Sequence, residues 1–255
     1  MQQKFKLTGV SRPRLVELVK VLQALDPSVY LTLSPTGLRS KTFTTSRDTA
    51  MCIEAPISEV GTVAEDPGTE VRIGLYGPAS ARFLKFLNEF DPASISIEGD
   101  VFDYRPDGMR YARSLRIGDG SLTMSVACME PSLGFVELTA KQEDAAFSNA
   151  AVIYEFDLTK EMLAKLTRLS DFLPNDTSMV EIRSGHSGVE VSSPGVFNLS
   201  VSTAPVPPSD VSKLFKKFVR RVPPDSYSVK VYKNRIVFAS TTSATKIAIN
   251  LAIEP

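Results

Sequence analysis

Residues able to do covalent or metal chemistry are scarce here: among 255 residues there are two cysteines and one histidine. Cys52 and Cys128 each sit in an apolar, strand-like run, Ala50-Met51-Cys52-Ile53 and Val126-Ala127-Cys128-Met129, where a thiol is expected to be buried and reduced. With no CxxC pair and a single imidazole, a usual zinc site cannot be assembled without recruiting carboxylates, and no metal is expected. His186 would have to serve as the base of any Ser-His or Cys-His nucleophile system. It lies in Ser184-Gly185-His186-Ser187-Gly188, which reads as a tight turn. Neither a GxxxxGK[ST] loop nor a GxGxxG fingerprint occurs, so no cofactor is expected. Neither a usual metal site nor a His186-based nucleophile system is expected from these residue types.

The remaining chemistry is charge. Lys plus Arg and Asp plus Glu each number 29, so the net charge is zero and a wholly basic surface is excluded. The charge is nevertheless sorted. Four segments carry apolar residues at helical spacing: 11–25, 78–90, 158–173 and 209–222. They contain Arg12, Arg14, Lys20, Arg82, Lys85, Lys160, Lys165, Arg168, Lys213, Lys216, Lys217, Arg220 and Arg221, against only Glu17, Glu89, Glu161, Asp171 and Asp210. Glu is as good a helix former as Lys, so propensity alone does not explain the excess. A cationic helical surface on a neutral protein suits a phosphate backbone, which needs positive charge but no base-specific geometry. The helix aromatics Phe83, Phe86, Phe215 and Phe218 fall on core faces, so stacking on single-stranded bases is not expected.

The fourth segment shows the pattern most clearly. Val211, Leu214, Phe215, Phe218, Val219 and Val222 form one face of a predicted helix, with Lys213, Lys216, Lys217 and Arg220 on another. Ser209 or Asp210 is the expected cap, and Pro223-Pro224 the stop. Asp26-Pro27, Asp91-Pro92 and Pro174-Asn175 stop the other three. Each helix is followed by an alternating, β-branched run and then further strands, so one helix plus an antiparallel meander is used four times. Two such units sharing sheets make a domain, which predicts an α+β protein of two similar domains, each with two helices packed on antiparallel sheets. The expected boundaries are 1–128 and 151–255. The connecting segment 129–150, with Pro131, Gly134 and Lys141-Gln142-Glu143-Asp144, is read as a linker with room for a helical turn or short strand between 136 and 147. No run approaches the roughly 18 apolar residues of a membrane span. Nor does an apolar run follow Lys4 and Lys6, so a cytoplasmic protein without membrane contact is expected.

Together these features resemble the DNA sliding clamps, the ring-shaped polymerase processivity factors. They are most similar to the two-domain class that includes proliferating-cell nuclear antigen and the clamps of T4-like phages. The local patterns carrying the resemblance are Val29-Tyr30-Leu31-Thr32-Leu33 with Gly37-Leu38, and Ser46-Arg47-Asp48-Thr49-Ala50. To these add Met179-Val180-Glu181-Ile182 with Gly188-Val189-Glu190-Val191-Ser192-Ser193-Pro194-Gly195. The resemblance implies a protein that is not an enzyme but a homotrimeric ring around double-stranded DNA, gripped without sequence specificity, with the thirteen helical basic residues facing the duplex. It implies DNA polymerase and a clamp loader as partners, and the host cytoplasm as the location if the source is viral. It further implies that an edge strand near 121–128 pairs with one near 196–202 of the next subunit. A partner-peptide pocket is implied beside the linker and C-terminal tail, with Leu133, Phe135, Val136, Leu138, Leu251 and Ile253 as lining. Two other readings stay open: a monomeric processivity factor of the same fold, and a structural or assembly protein that does not bind DNA.

Overall fold

A strand, a helix and three further strands recur four times along the chain. The computed structural model describes residues 3–66, 68–148 and 151–252. The first repeat is β1 (Gln3–Thr8), α1 (Arg12–Leu25), β2 (Val29–Ser34), β3 (Gly37–Phe43) and β4 (Thr49–Pro56). After a short helix α2 (Ile57–Val60) and strand β5 (Thr62–Glu65), the second is β6 (Val71–Leu75), α3 (Gly77–Glu89), β7 (Ser96–Tyr104), β8 (Met109–Gly118) and β9 (Thr123–Ala127). Helix α4 (Ala140–Phe147) precedes the third: β10 (Tyr154–Leu158), α5 (Lys160–Ser170), β11 (Met179–Gly185), β12 (Gly188–Ser193) and β13 (Phe197–Ser202). The fourth is β14 (Ser212–Phe215), α6 (Lys216–Val219), β15 (Tyr227–Val231), β16 (Arg235–Ser240) and β17 (Lys246–Asn250). The fold is α+β. Among the described residues no helix is long and apolar enough to cross a membrane.

The chain divides into two units, Met1–Phe43 with Ile53–Glu137 and Thr44–Cys52 with Leu138–Pro255. Residues 129–137 therefore go with the first unit rather than forming part of a free linker, and the start of β4 goes with the second. Local contacts explain the first difference. Met129 donates its amide to the Gly74 carbonyl at 2.7 Å, Phe135 packs edge-on against Tyr30 and Tyr111, and Glu137 pairs with Arg72 at 2.6 Å. Helix α4 lies within the expected connecting segment. Its start is a capping box, in which Thr139 Oγ1 accepts from the Gln142 amide and the Thr139 amide donates to Gln142 Oε1.

In the first unit, Leu15, Leu18, Val19 and Leu22 of α1 and Phe83 and Leu87 of α3 are buried, and the two helices pack together. Pro13 and Pro78 stand in their first turns, where the missing amide costs nothing. Gln23 donates to Ser80 Oγ at 2.8 Å and Ser80 donates to the Pro27 carbonyl at 2.8 Å, joining the helices by polar contacts. The sheet order is β3-β2-β6-β8-β7-β1-β5, with β9 beside β8. Sequence pattern suggests a break at Gly99-Asp100, but β7 continues through it, its pairing with β8 shifting register between Asp100 and Val101. A Cβ at Gly99 would stand 2.1 Å from the buried Phe5 ring, so this glycine provides close approach rather than a turn.

The second unit has the sheet β10-β15-β16-β17 with the start of β4, and a four-stranded sheet β13-β12-β11-β14. Gly188, at φ 111°, brings β12 so close to β13 that a Cβ would fall 1.9 Å from the Ser202 carbonyl oxygen. Helix α5 is capped by Thr159, which accepts from the Met162 amide, and it buries Leu163 and Leu166.

The predicted helix over 209–222 is not formed. Its first half becomes β14, paired with β11 from Met179↔Phe215 to Ile182↔Ser212, and only Lys216–Val219 turn as α6. An unpaired edge of β11 offers backbone partners that a local period cannot register, and it outweighs the helical spacing. Ser209 and Asp210 consequently cap nothing: Ser209 Oγ lies 2.9 Å from Ser184 Oγ in a loop.

Candidate nucleic-acid interface

The thirteen basic residues separate into two groups in the structure. Lys20 on α1, Arg82 and Lys85 on α3, and Lys160, Lys165 and Arg168 at the start of or along α5 are exposed and have no ion pair among the described residues. In α3 the pair Arg82/Lys85 lies i, i+3 on the face away from Phe83 and Leu87, and Lys165/Arg168 repeats that spacing on α5 away from Leu163 and Leu166. Like charges at i, i+3 repel, so isolated helices are slightly weakened by such pairs. An anion carrying closely spaced charge turns that cost into attraction. Each pair is a ready cationic site on a solvated helix face, and neither depends on the other unit.

The other group is engaged within the protein. Arg12 donates to the Phe90 carbonyl at 3.3 Å, and Arg14 pairs with Glu17 at 3.0 Å. Of the residues from the predicted fourth helix, Lys213 faces Glu181 at 3.9 Å, Arg220 pairs with Asp171, and Lys217 and Arg221 meet Asp48 at 3.6 and 3.0 Å. Lys216 is buried, its ammonium donating to the Leu173 carbonyl at 2.7 Å. The expected cationic face over Lys213, Lys216, Lys217 and Arg220 therefore does not exist, because the segment is half strand and its acids come from distant elements.

Asp48 organises this second group. It accepts from Thr44 Oγ1, Ser46 Oγ and Thr49 Oγ1 as well as Arg221, in the turn where Arg47 adopts φ 55°. Partial burial raises its pKa, but the three hydroxyl donors and Arg221 outweigh that and hold the carboxyl below its usual range. A depressed carboxylate pKa contributes stability above the unfolded value, lost as pH falls through the folded one. Asp48→Asn is therefore expected to be less stable than the wild type at neutral pH and to converge with it in acid. Denaturant unfolding across an acid pH series checks this; a constant difference at every pH would remove Asp48 from the linkage.

The expected pocket residues fall in different places. Leu133 is 75% exposed and Val136 half-buried in the first unit, where Phe135 is also held under the Arg72 guanidinium, 5.4 Å from its ring centroid. Leu138 is buried and Leu251 half-buried in the second unit, and Ile253 lies outside the described residues. Cys52 is buried and Cys128 half-buried, and neither is in a disulfide. Burial pushes the Cys128 thiol up to about 12, which keeps it from forming a thiolate. His186 is exposed at the β11–β12 turn.

No protein-family model and no curated protein matches the chain. Among solved structures it is similar to PCNA of A. fulgidus, in a structure described as the C-terminal region of FEN-1 bound to that protein. Identity is 16%, the match covers 98% of this chain and 99% of that one, and the TM-score is 0.68. It is also similar to the DNA polymerase sliding clamp from Bacillus subtilis, at 12% identity and TM-score 0.64, spanning 100% of this chain and 66% of the longer clamp. With the four repeats, the two units and the exposed helical cations in place, the fold of this chain is that of the DNA sliding clamps.

Proposed function

We propose that the chain is a non-enzymatic sliding clamp that closes as a homotrimer around double-stranded DNA and tethers a DNA polymerase, having been placed there by a clamp loader. Each chain contributes two clamp domains, and the protein works in the cytoplasm where the replicating DNA lies. The observation that carries this reading is the set of exposed, unpaired basic residues on α1, α3 and α5 of a sliding-clamp fold. Ring closure is supported by two open strands. β9 pairs only with β8 and β13 only with β12 among the described residues, and neither strand contains a charge or a proline. Such edges lack the usual guards against pairing with another chain, and closing them head to tail satisfies both.

A ring that encircles DNA is held by topology, whereas a protein held by charge is released by salt. The test incubates the protein with linear duplex DNA, blocks both ends with streptavidin and washes at high salt. Retention only when both ends are blocked, with a native mass of three chains, is the expected result. Salt-labile binding indifferent to the ends, with a monomer mass, would instead identify a charge-held processivity factor.

A further inference from the structure

The core of the second unit encloses a cavity of about 30 Å³, walled by side chains from both of its sheets and from α5 and α6. Among the described residues every side chain lining it is Val, Leu, Ile or Phe, and none is more than 7% exposed. One water needs roughly 10–15 Å³, so the space suffices, but a water also needs several polar partners and finds none here. The cavity is therefore dry. Interiors pack like organic crystals, and few voids larger than a water survive in them, so this one needs a cause.

The cause is the make-up of its walls. Val180, Val191 and Val201 stand on β11, β12 and β13, and Val219 and Val222 come from α6 and the turn after it. Valine is stiff at χ1, so it does not swing a methyl into empty space, and it is one methylene shorter than isoleucine. Strand β12 is paired along both edges, with β11 and with β13, so that wall cannot move inward without breaking ladder bonds. On the other side, α6 has only four residues, whereas its counterpart in the second repeat, α3, has thirteen. So short a helix brings only Phe218 and Val219 of its apolar residues to the core.

We propose that this cavity is a binding site for one small, uncharged apolar molecule, a dissolved gas or a light hydrocarbon, held by dispersion alone. Atoms lining a void lack partners on one side, and an apolar guest restores those contacts without burying a polar group. A polar guest of the same size would give up its hydrogen bonds to water and gain none. Size sets the other limit: a cavity known to take benzene measures about 150 Å³, roughly five times this one, so aromatic rings and acyl chains are excluded. With every lining residue buried, the guest enters through a local opening. The least anchored wall is α6, whose first turn has no side-chain cap. The site does not depend on the clamp reading.

The test records NMR spectra of the full chain, labelled at its valine methyls, under rising xenon pressure, with methanol as a small polar control. Xenon is expected to shift the methyls of Val180, Val191, Val201, Val219 and Val222 saturably and, by binding only the folded state, to raise the denaturant midpoint. Methanol at equal concentration is expected to leave those methyls in place. Val191→Ile extends a side chain into the void and is expected to weaken xenon binding at least threefold. Xenon shifts that do not saturate, that miss these five valines or that methanol reproduces would overturn the proposal. So would a nuclear Overhauser effect from water to the same methyls in the free protein, or unchanged xenon affinity in the folded variant. The xenon and methanol titrations use wild-type protein, so they decide the matter even if Val191→Ile fails to fold.

Discussion

Arg82→Glu with Lys85→Glu, combined with Lys165→Glu and Arg168→Glu, is expected to abolish binding to duplex DNA at low salt while leaving the protein folded. All four side chains are exposed and unpaired, so their replacement costs the fold little, typically within about 0.5 kcal/mol each. Two glutamates at i, i+3 repeat the repulsion that the two cations already impose. Against DNA the effect is large. Each phosphate that is no longer neutralised takes about 0.9 from the slope of log affinity against log salt, and reversed charges add repulsion, so a fall of about a thousandfold or more is expected. The contrasting variant reverses Lys213, Lys217 and Arg220, which face Glu181, Asp48 and Asp171. Each reversal sets like charges together, so this variant is expected to lose thermal stability first and DNA binding only as a consequence. Wild-type affinity of the helix variant for duplex DNA at low salt would sink the assignment. Loss of low-salt binding by the second variant at unchanged melting temperature would return the DNA-facing role to residues 213–221.

That contrast locates what the sequence could reveal. The helices over Arg12–Leu25, Gly77–Glu89 and Lys160–Ser170 were legible because each is long enough to show several turns of buried stripe and has a proline or Thr cap at its start. The segment 209–222 has the same spacing, yet what decides its structure is a strand about thirty residues earlier whose edge needs partners. Local periodicity holds no information about that edge. The four-residue α6 is too short for a helical period to be tested at all. Cations were legible as residues but not as free or engaged, because their acids are remote: Arg221 and Asp48 are 173 positions apart. Gly99 reads as a turn because a glycine admits either a turn or close packing, and only Phe5 on β1 decides between them. Helix α4 could have been found. Thr139-x-x-Gln142 is a capping-box signature ahead of a run of good helix formers, within the stretch whose composition suggests a linker.

Lys216 separates the two accounts of the fourth segment most sharply, since a helix facing DNA would expose it and the structure buries it. Its side chain is 5% exposed, and its ammonium donates at 2.7 Å to the carbonyl of Leu173, itself 3% exposed. Lys216→Met keeps the aliphatic stem and removes the donor, leaving a buried carbonyl unsatisfied, at a cost of about 1–3 kcal/mol. Lys216→Glu puts a carboxylate where the ammonium was, facing a carbonyl oxygen that has no proton to donate to it. An unpaired buried charge costs about 3–5 kcal/mol, a large share of the roughly 5–15 kcal/mol that holds a typical domain together. The expected order of stability in denaturant unfolding is wild type, then Met, then Glu, with the Glu variant's second unit largely unfolded at 37 °C. A surface lysine on a DNA-facing helix predicts the opposite: both variants melt as the wild type does, and the Glu variant binds DNA more weakly than the Met variant. Equal melting temperatures for all three would place Lys216 in solvent and restore the helix that its neighbours' spacing suggests.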